Sequence, residues 1–450
     1  MTLEKNPTEQ QTASQGVPAL EPVVRGPRTT VSAAVAKRLF RAAVGQLAVT
    51  VVEEPTGRRL GQGGPVMRIH RPEEFYARVG RDGLIGFGEA YLTGAWDAED
   101  LAGFLTVPAA RIATLVPEPL QRLRAYVTPR LPGHQRSTEA NSQANISHHY
   151  DLSNEMFALF LDDTLSYSSA LFDTSTSSAP AGPGSVGDHL VASPPEPVDD
   201  PDPTRHGADF AEAQGRKIER LLDQAGVTAG SRVLEIGTGW GELAIRAARR
   251  GATVRSITLS VEQLELAEDR IAAAGFADAV DVELMDYRAL GADGATYDAV
   301  LSVEMIEAVG HEFWGTYFET IDRVLAPGGR VAIQAITMPH DRMLATRDGQ
   351  TWINKYIFPG GFLPSVEVID QITRGQTSLR LTGQLEMGSH YAETLRRWDR
   401  RFLSQRETVH DLGFDDLFMR VWHFYLAYSQ AGFASGYINV SQLTFTREDR

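Results

Sequence analysis

The stretch SRVLEIGTGWGELA, residues 231–244, decides the fold. SRVLEIG reads as a buried-type strand and the chain from Glu242 as a helix, with Gly237, Gly239 and Gly241 between them. Glycines at such a junction let the backbone turn sharply and approach a ligand with no Cβ in the way. The alternation continues through ATVRSITLS, a helix from Val261, VDVELMD, YDAVLSVE, a helix through Phe318, and GGRVAIQAI. This predicts an α/β fold, a doubly wound parallel sheet with helices on both faces. A helix over about Asp209–Gln224 precedes it. The final GYINVSQLTFTR alternates like a half-exposed strand and suits an antiparallel edge.

Working outward, residues 1–30 are polar and Pro-rich and read as a disordered tail. Residues 31–140 make a separate, smaller N-terminal α+β domain, expected to associate with lipid. It opens with a helix-like VSAAVAKRLFRAAVGQL and a strand, AVTVVEE, and later carries GLIGFGEAYLTGAWDAEDLAGFL. It supplies no metal cluster or nucleophile–base pair, and its periodicity fits packing as well as an apolar binding surface. Residues 141–450 form the main domain. Within it, 174–205 (TSTSSAPAGPGSVGDHLVASPPEPVDDPDPTR) is dense in Pro, Gly, Ser and Asp and is predicted to be a disordered insertion.

Composition narrows the function. The 450 residues are 42% hydrophobic and 22% charged, which is globular. No apolar run is long enough to span a membrane, and the N-terminus lacks an apolar signal core. With no cysteine, thiolate nucleophiles and Cys-based zinc sites are excluded, and a reducing cytoplasm fits. The net charge of −15 argues against nucleic acid as a partner. Attraction to an anionic membrane must then be local. Arg122–Arg136 and Arg396–Arg406 are Arg-rich enough to provide it, or are simply solvated helix faces. His311 and His340 lack metal-ligand spacing, so no metal is expected.

The glycine loop, which includes Trp240, has G-x-G-x-G spacing, with Glu235 on the strand just before it. This resembles motif I of class I methyltransferases, whose cofactor is S-adenosyl-L-methionine; a Walker lysine, which ATP would need, is absent. ITLSVEQ (257–263) ends the second strand. There Thr258, Leu259, Ser260 and Gln263 stand where most such enzymes place an acid on the ribose. Asp286 and Tyr287, in MDYR, end the third strand and suit the adenine amine and ring.

Eight ordered blocks carry a wider resemblance: HHYDLSNEMFALFLD (148–162), LSYSSALF (165–172), FAEAQGRKI (210–218), VLEIGTGWGELA (233–244), ITLSVEQ, EMIEAVGHEFW (304–314), WINKYIFPGGFLPS (352–365) and HYAETLRRW (390–398). They resemble the cyclopropane-fatty-acyl-phospholipid synthase family, including its branch that makes 10-methylene, tuberculostearic-type lipids. The resemblance runs from about Ile146 to the C-terminus. It implies a seven-stranded class I methyltransferase sheet, the sulfonium cofactor and unsaturated phospholipid acyl chains as substrate. It also implies a cytoplasmic, membrane-peripheral, oligomeric enzyme whose methylene product a separate flavin-dependent reductase would saturate.

By the family's pattern Tyr167, Ser168, Gly237, Thr258, Gln263 and Tyr287 fall on cofactor-binding positions. Family members hold bicarbonate near the methyl group with Cys, Glu, His and Tyr side chains. Glu307 and Tyr391 match that set. Ser169 stands in place of the cysteine, Gln334 in place of a histidine, Ala308 in place of another, and Glu304 at a glycine position. These departures put bicarbonate binding in doubt.

An alkene is a poor nucleophile, so the methyl donor must be held in line with it in a dry pocket. Transfer leaves a carbocation that aromatic faces stabilise. Tyr167, Phe313, Trp314, Tyr356, Phe358, Tyr391 and Phe424 are candidates, and core packing explains each equally well. A base must then remove a proton. Glu304 and Glu307 share a face if a helix starts at Glu304. The expectation is that the Glu304 carboxylate replaces bicarbonate as base, positioned by Glu307 and Tyr391; the alternative is a helix N-terminal acid favoured by the dipole. Proton loss after a hydride shift gives a methylene branch; ring closure gives a cyclopropane. A small-molecule methyltransferase and a non-catalytic lipid-binding protein are the distant alternatives. His148 and His149 suit either a structural role or a phospholipid head group.

Overall fold

The computed structural model describes residues 20–23, 26–115, 153–178, 188–195 and 207–448. Arg122–Arg136, His148 and His149 lie outside them. The N-terminal unit comprises α1 (Pro27–Val44), β1 (Thr50–Glu53), β2 (Arg58–Leu60), β3 (Val66–Ile69), α2 (Pro72–Asp82), α3 (Leu84–Leu92), β4 (Trp96–Ala98) and α4 (Leu101–Leu115). Its strands form a four-stranded sheet in the order β2-β1-β3-β4. The first helix begins at Pro27, inside the stretch read as a disordered tail, because proline is pre-set for a helix's first turn.

The main domain follows: α5 (Asn154–Phe160), β5 (Thr176–Ser178), β6 (Asp188–Ala192), α6 (Gly207–Gln224), β7 (Arg232–Ile236), α7 (Glu242–Arg249), β8 (Thr253–Thr258), α8 (Val261–Ala273), β9 (Val280–Leu284), β10 (Tyr297–Val303), α9 (Ile306–Val309), α10 (Trp314–Val324) and β11 (Leu325–Thr337). Then come α11 (His340–Thr346), α12 (Trp352–Tyr356), α13 (Val366–Gln376), β12 (Leu379–Glu386), α14 (Gly388–Ser404), α15 (Arg406–Asp411), α16 (Asp416–Ala434) and β13 (Asn439–Arg447).

The expected seven-stranded sheet is present as β12-β13-β11-β10-β7-β8-β9, and β6 and β5 extend it to nine. Strands β11, β10, β7, β8 and β9 are parallel. Two expectations need correction. The insertion 174–205 is ordered in its two described stretches, since β6 gains main-chain hydrogen bonds by pairing with β12 and β5 pairs with β6. Strand β13 is antiparallel as expected, but it is no edge: it sits between β11 and β12 and is buried along most of its length. Its polar alternation serves Ser441, Gln442 and Thr444, which are buried rather than solvated.

Apolar layers cover both faces of the sheet. Ile257, Val300, Phe318 and Ile333 belong to one, and Leu221, Val233, Ala244 and Leu301 to the other. A third cluster runs from Val51 and Trp96 through Trp352 and Phe424 to Tyr391, joining the N-terminal unit to α14 and α16. Glu89 of α3, fully buried, anchors that junction: it accepts hydrogen bonds from Lys355 Nζ at 2.6 Å and the Tyr356 hydroxyl at 3.0 Å. Burial of that charge is tolerated because cations and donors surround it.

Candidate active site

Parallel strands place their carboxyl ends together, and the site is built there. The register sets Ile236 beside Ser302 and Ile257, and Val303 beside Gln334. The glycine loop, Thr258, Glu304 and Gln334 therefore share one edge.

In the loop Gly237 (φ 98°), Gly239 (φ 53°) and Gly241 (φ 87°) all take left-handed backbone. A Cβ on Gly237 would stand 2.5 Å from Met305 Cγ, whereas one on Gly239 would have no neighbour within 4 Å. The loop is thus wedged on one side and open at its tip, a cradle suited to the methionine end of a nucleoside cofactor. Glu235, opposite Ser256 in the register, accepts a 2.6 Å hydrogen bond from its hydroxyl. Burial pushes the Glu235 carboxyl up to about 8, so it braces the loop in protonated form.

The Thr258 hydroxyl donates to Gln263 Oε1 at 3.0 Å, and Ser260 caps α8 by accepting from Gln263 N. Leu259 is half-buried beside them. Asp286 accepts from the Arg288 main-chain N–H and guanidinium at 2.9 and 2.7 Å. Tyr287 is buried edge-on against Tyr317, and its hydroxyl has no partner among the described residues. Trp240 packs on Phe157 and donates from Nε1 to Asn154 Oδ1 at 2.8 Å, tying the loop to α5.

Glu304 lies at the centre. Its Oε1 accepts from the Ser169 main-chain N–H at 3.0 Å and Gln334 Nε2 at 2.8 Å, and its Oε2 from the Tyr391 hydroxyl at 2.7 Å. The backbone of Glu304 has φ 52°, the left-handed region where glycine is at ease, which accounts for a residue at a glycine-type position turning its carboxylate inward. The helix starts only at Ile306, so the shared-face argument for Glu304 and Glu307 does not hold. Glu307 makes no hydrogen bond to Glu304: its Oε1 accepts from Ile336 N at 2.5 Å, and Oε2 has no partner among the described residues. Burial, then the nearby Glu304 charge, pushes Glu307 up to about 8. Burial raises Glu304 as well, against the three donors, which lower it.

The Ser169 hydroxyl turns away to Ala170 O, so this residue serves through its main chain. Tyr391 stacks on Phe433 with centroids 4.4 Å apart, and Tyr167 shares a 2.7 Å hydrogen bond with Tyr425. Tyr356, Phe424 and Phe358 pack around α12 and α16, while Trp314 stacks on Phe362. Phe313 lies under Arg288. Sequence reasoning missed four contributors: Gln442, paired across the strands with Gln334; Lys217; Tyr425; and Phe433. Lys217 lies in the FAEAQGRKI block, and full burial of a lysine is not legible from its neighbours. In the Arg396–Arg406 stretch, Arg396 and Arg397 pair with Glu393, and Arg406 pairs with Asp416, so these charges are engaged within the protein.

Residues 137–443 match the mycolic acid cyclopropane synthetase family. The chain belongs to this family. It is 49% identical over 437 residues to tuberculostearic acid methyltransferase UfaA1 of Mycobacterium tuberculosis, covering 96% of this chain and 95% of that one. It is 28% identical to the cyclopropane-fatty-acyl-phospholipid synthase of Escherichia coli, over 85% of this chain and 87% of that one. The mycolic acid cyclopropane synthase CmaA1 complexed with SAH and CTAB superposes with a TM-score of 0.55 at 26% identity, covering 67% of this chain and 97% of that structure. The chain is accordingly an S-adenosyl-L-methionine-dependent methyltransferase of the class I fold. The cradle at Gly237–Gly241 fits that cofactor. Among the described residues no helix is long and apolar enough to cross a membrane.

Proposed function

We propose that the enzyme methylates the cis double bond of an unsaturated phospholipid acyl chain and releases a methylene-branched product, with Glu304 as the base. The observation that carries this reading is the Glu304 carboxylate itself, held by Ser169 N, Gln334 Nε2 and the Tyr391 hydroxyl. These are positions the family resemblance associates with bicarbonate, so a built-in carboxylate takes the place of a bound one. Glu304 is only half-buried although protein surrounds it densely, the condition of a group lining a recess.

S-adenosyl-L-methionine, when bound, supplies an electrophilic methyl group. The acyl chain's π pair would bond to that methyl carbon as its bond to sulfur breaks with the pair staying on sulfur, leaving a cation on the neighbouring chain carbon. A hydride shift moves the cation to the methylated carbon. Glu304 then accepts a proton from the new methyl, and the C–H electron pair becomes the double bond of the methylene branch. The Tyr391 ring and Phe433 behind it offer an aromatic face to the cation. Glu307, held protonated near neutrality, adds no second charge.

Ring closure to a cyclopropane uses the same base and is the second reading; the likeness to the Escherichia coli synthase favours keeping it. Purified enzyme incubated with the cofactor and oleoyl phospholipid vesicles separates the two. Mass spectrometry before and after catalytic hydrogenation shows hydrogen uptake for a methylene and none for a ring. A separate flavin-dependent reductase would then saturate the methylene.

Membrane association at the cytoplasmic face is part of the proposal. Helix α1 carries four basic and no acidic residues in a strongly acidic chain. Val31, Val35 and Leu39, one turn apart, are exposed along it, with Arg28 and Arg38 beside them. An apolar stripe flanked by arginines suits an anionic bilayer surface.

A further inference from the structure

Lys217 of α6 is 1% exposed, and no carboxylate of the described residues lies within ion-pair distance of it. Burying an ammonium without a counter-charge is costly, so its surroundings must explain it. Its Nζ donates to the Ser168 hydroxyl at 2.7 Å. The next residue, Ser169, donates its main-chain N–H to Glu304. On the other side the Lys217 carbonyl accepts from Gln442 Nε2 at 3.1 Å, and the same amide donates to Gln334 Oε1, whose own amide holds Glu304. Lys217 thus touches both arms that grip the Glu304 carboxylate.

We infer that Lys217 is the buried counter-charge of Glu304, a positioning residue that keeps the carboxylate ionised and ready to take a proton. The inference rests on the reading of Glu304 as base. The charged and titratable groups around the pair are few. Glu304 faces Glu307 from α9, Tyr391 from α14 and Lys217 from α6. Lys217 is influenced by the charge of Glu304 and, less strongly, by those of Asp162, Glu242 and Arg246. Burial lowers Lys217 to about 8, with the Glu304 charge opposing that fall. Glu304 is raised by burial, with Lys217 among the groups opposing the rise. Each charge therefore favours the ionised form of the other.

Two experiments test the pairing. In Lys217→Met the acidic limb of the kcat/KM profile should move up by about one pH unit, with activity recovering at higher pH and cofactor affinity by calorimetry within about twofold. Loss of turnover that is equal at every pH, or a tenfold loss of cofactor affinity, overturns the inference. Lys217 can also be titrated by NMR of 13Cε-labelled lysine in the otherwise intact protein, which covers the case in which Lys217→Met fails to fold. In Glu304→Gln its pKa should fall by about one unit relative to the unsubstituted enzyme; an unchanged value overturns the pairing. This second readout does not depend on turnover, so it fails or holds separately from the assignment of Glu304 as base.

Discussion

The Tyr391 hydroxyl donates a 2.7 Å hydrogen bond to Glu304 Oε2, joining a helix of the C-terminal region to the end of β10. Helix α14 makes this possible by burying His390, Tyr391, Thr394, Leu395, Trp398 and Phe402 on one face. The same turn that aims Tyr391 at Glu304 aims His390 at the chain carrying Ser169.

Replacing Glu304 by glycine should abolish turnover and leave a site that a small carboxylate refills. Glycine relieves a left-handed backbone, worth about 1 kcal/mol. It also strands three donors, which costs about 1–3 kcal/mol if they stay dry. Added formate or bicarbonate should restore part of the activity in Glu304→Gly in a saturable way. No recovery across a concentration series would count against a base held by Ser169, Gln334 and Tyr391.

Two glycines of one loop should respond differently. Gly237→Ala drives a Cβ into Met305 at a strained φ, so it should cost about 2 kcal/mol or more and weaken cofactor binding at least tenfold. Gly239→Ala meets no neighbour and should cost only about 1 kcal/mol of backbone strain. Thermal unfolding with cofactor calorimetry checks the order, and the reverse order refutes the wedged-loop geometry.

His390 sets an acid limit on stability. Its Nδ1 accepts from Phe172 N at 3.0 Å and its Nε2 faces Ser193 O at 3.0 Å, an arrangement for neutral imidazole. Burial lowers it to about 4 from an ordinary 6.5. The unfolded chain therefore binds the extra proton first, and the stabilisation present above pH 6.5 is lost as pH falls toward 4, by about 3 kcal/mol. The difference in unfolding free energy between the unsubstituted enzyme and His390→Gln should shrink over that window. A difference independent of pH would show that His390 is not neutral in the folded state.

The α1 stripe gives a membrane prediction. Val35→Glu with Leu39→Glu removes two apolar contacts worth about 1.5–3 kcal/mol each if buried in lipid, and adds repelled charges. Binding to vesicles containing anionic phospholipid should drop at least tenfold, while turnover on detergent-dispersed lipid holds. Unchanged vesicle binding would place the membrane contact elsewhere.

Much of this was legible in sequence because it is local. The glycine loop, the helix starts at Glu242 and Val261 and the strand-end positions Thr258 and Tyr287 follow from neighbours in the chain. What was missed depends on distant pairing. Strand β13 looks amphipathic, yet β12 and β11 flank it and its polar side chains point into a buried network. The insertion is too polar to order alone, but β12 offers β6 a template, and β6 in turn pairs with β5. Lys217 meets Ser168 and Gln442 only after α6 has docked on the sheet, so nothing beside it in the chain announces a buried cation.

The most direct test is turnover by Glu304→Gln on oleoyl phospholipid vesicles, measured beside its affinity for S-adenosyl-L-methionine. Glutamine keeps the shape: its oxygen can still accept from Ser169 and Gln334 while its amide donates to the Tyr391 hydroxyl, but it is not a base. The account predicts unaltered cofactor binding and a fall in kcat of about 10³-fold, within the range a positioned base contributes. Turnover close to that of the unsubstituted enzyme, with the cofactor bound normally, would contradict it.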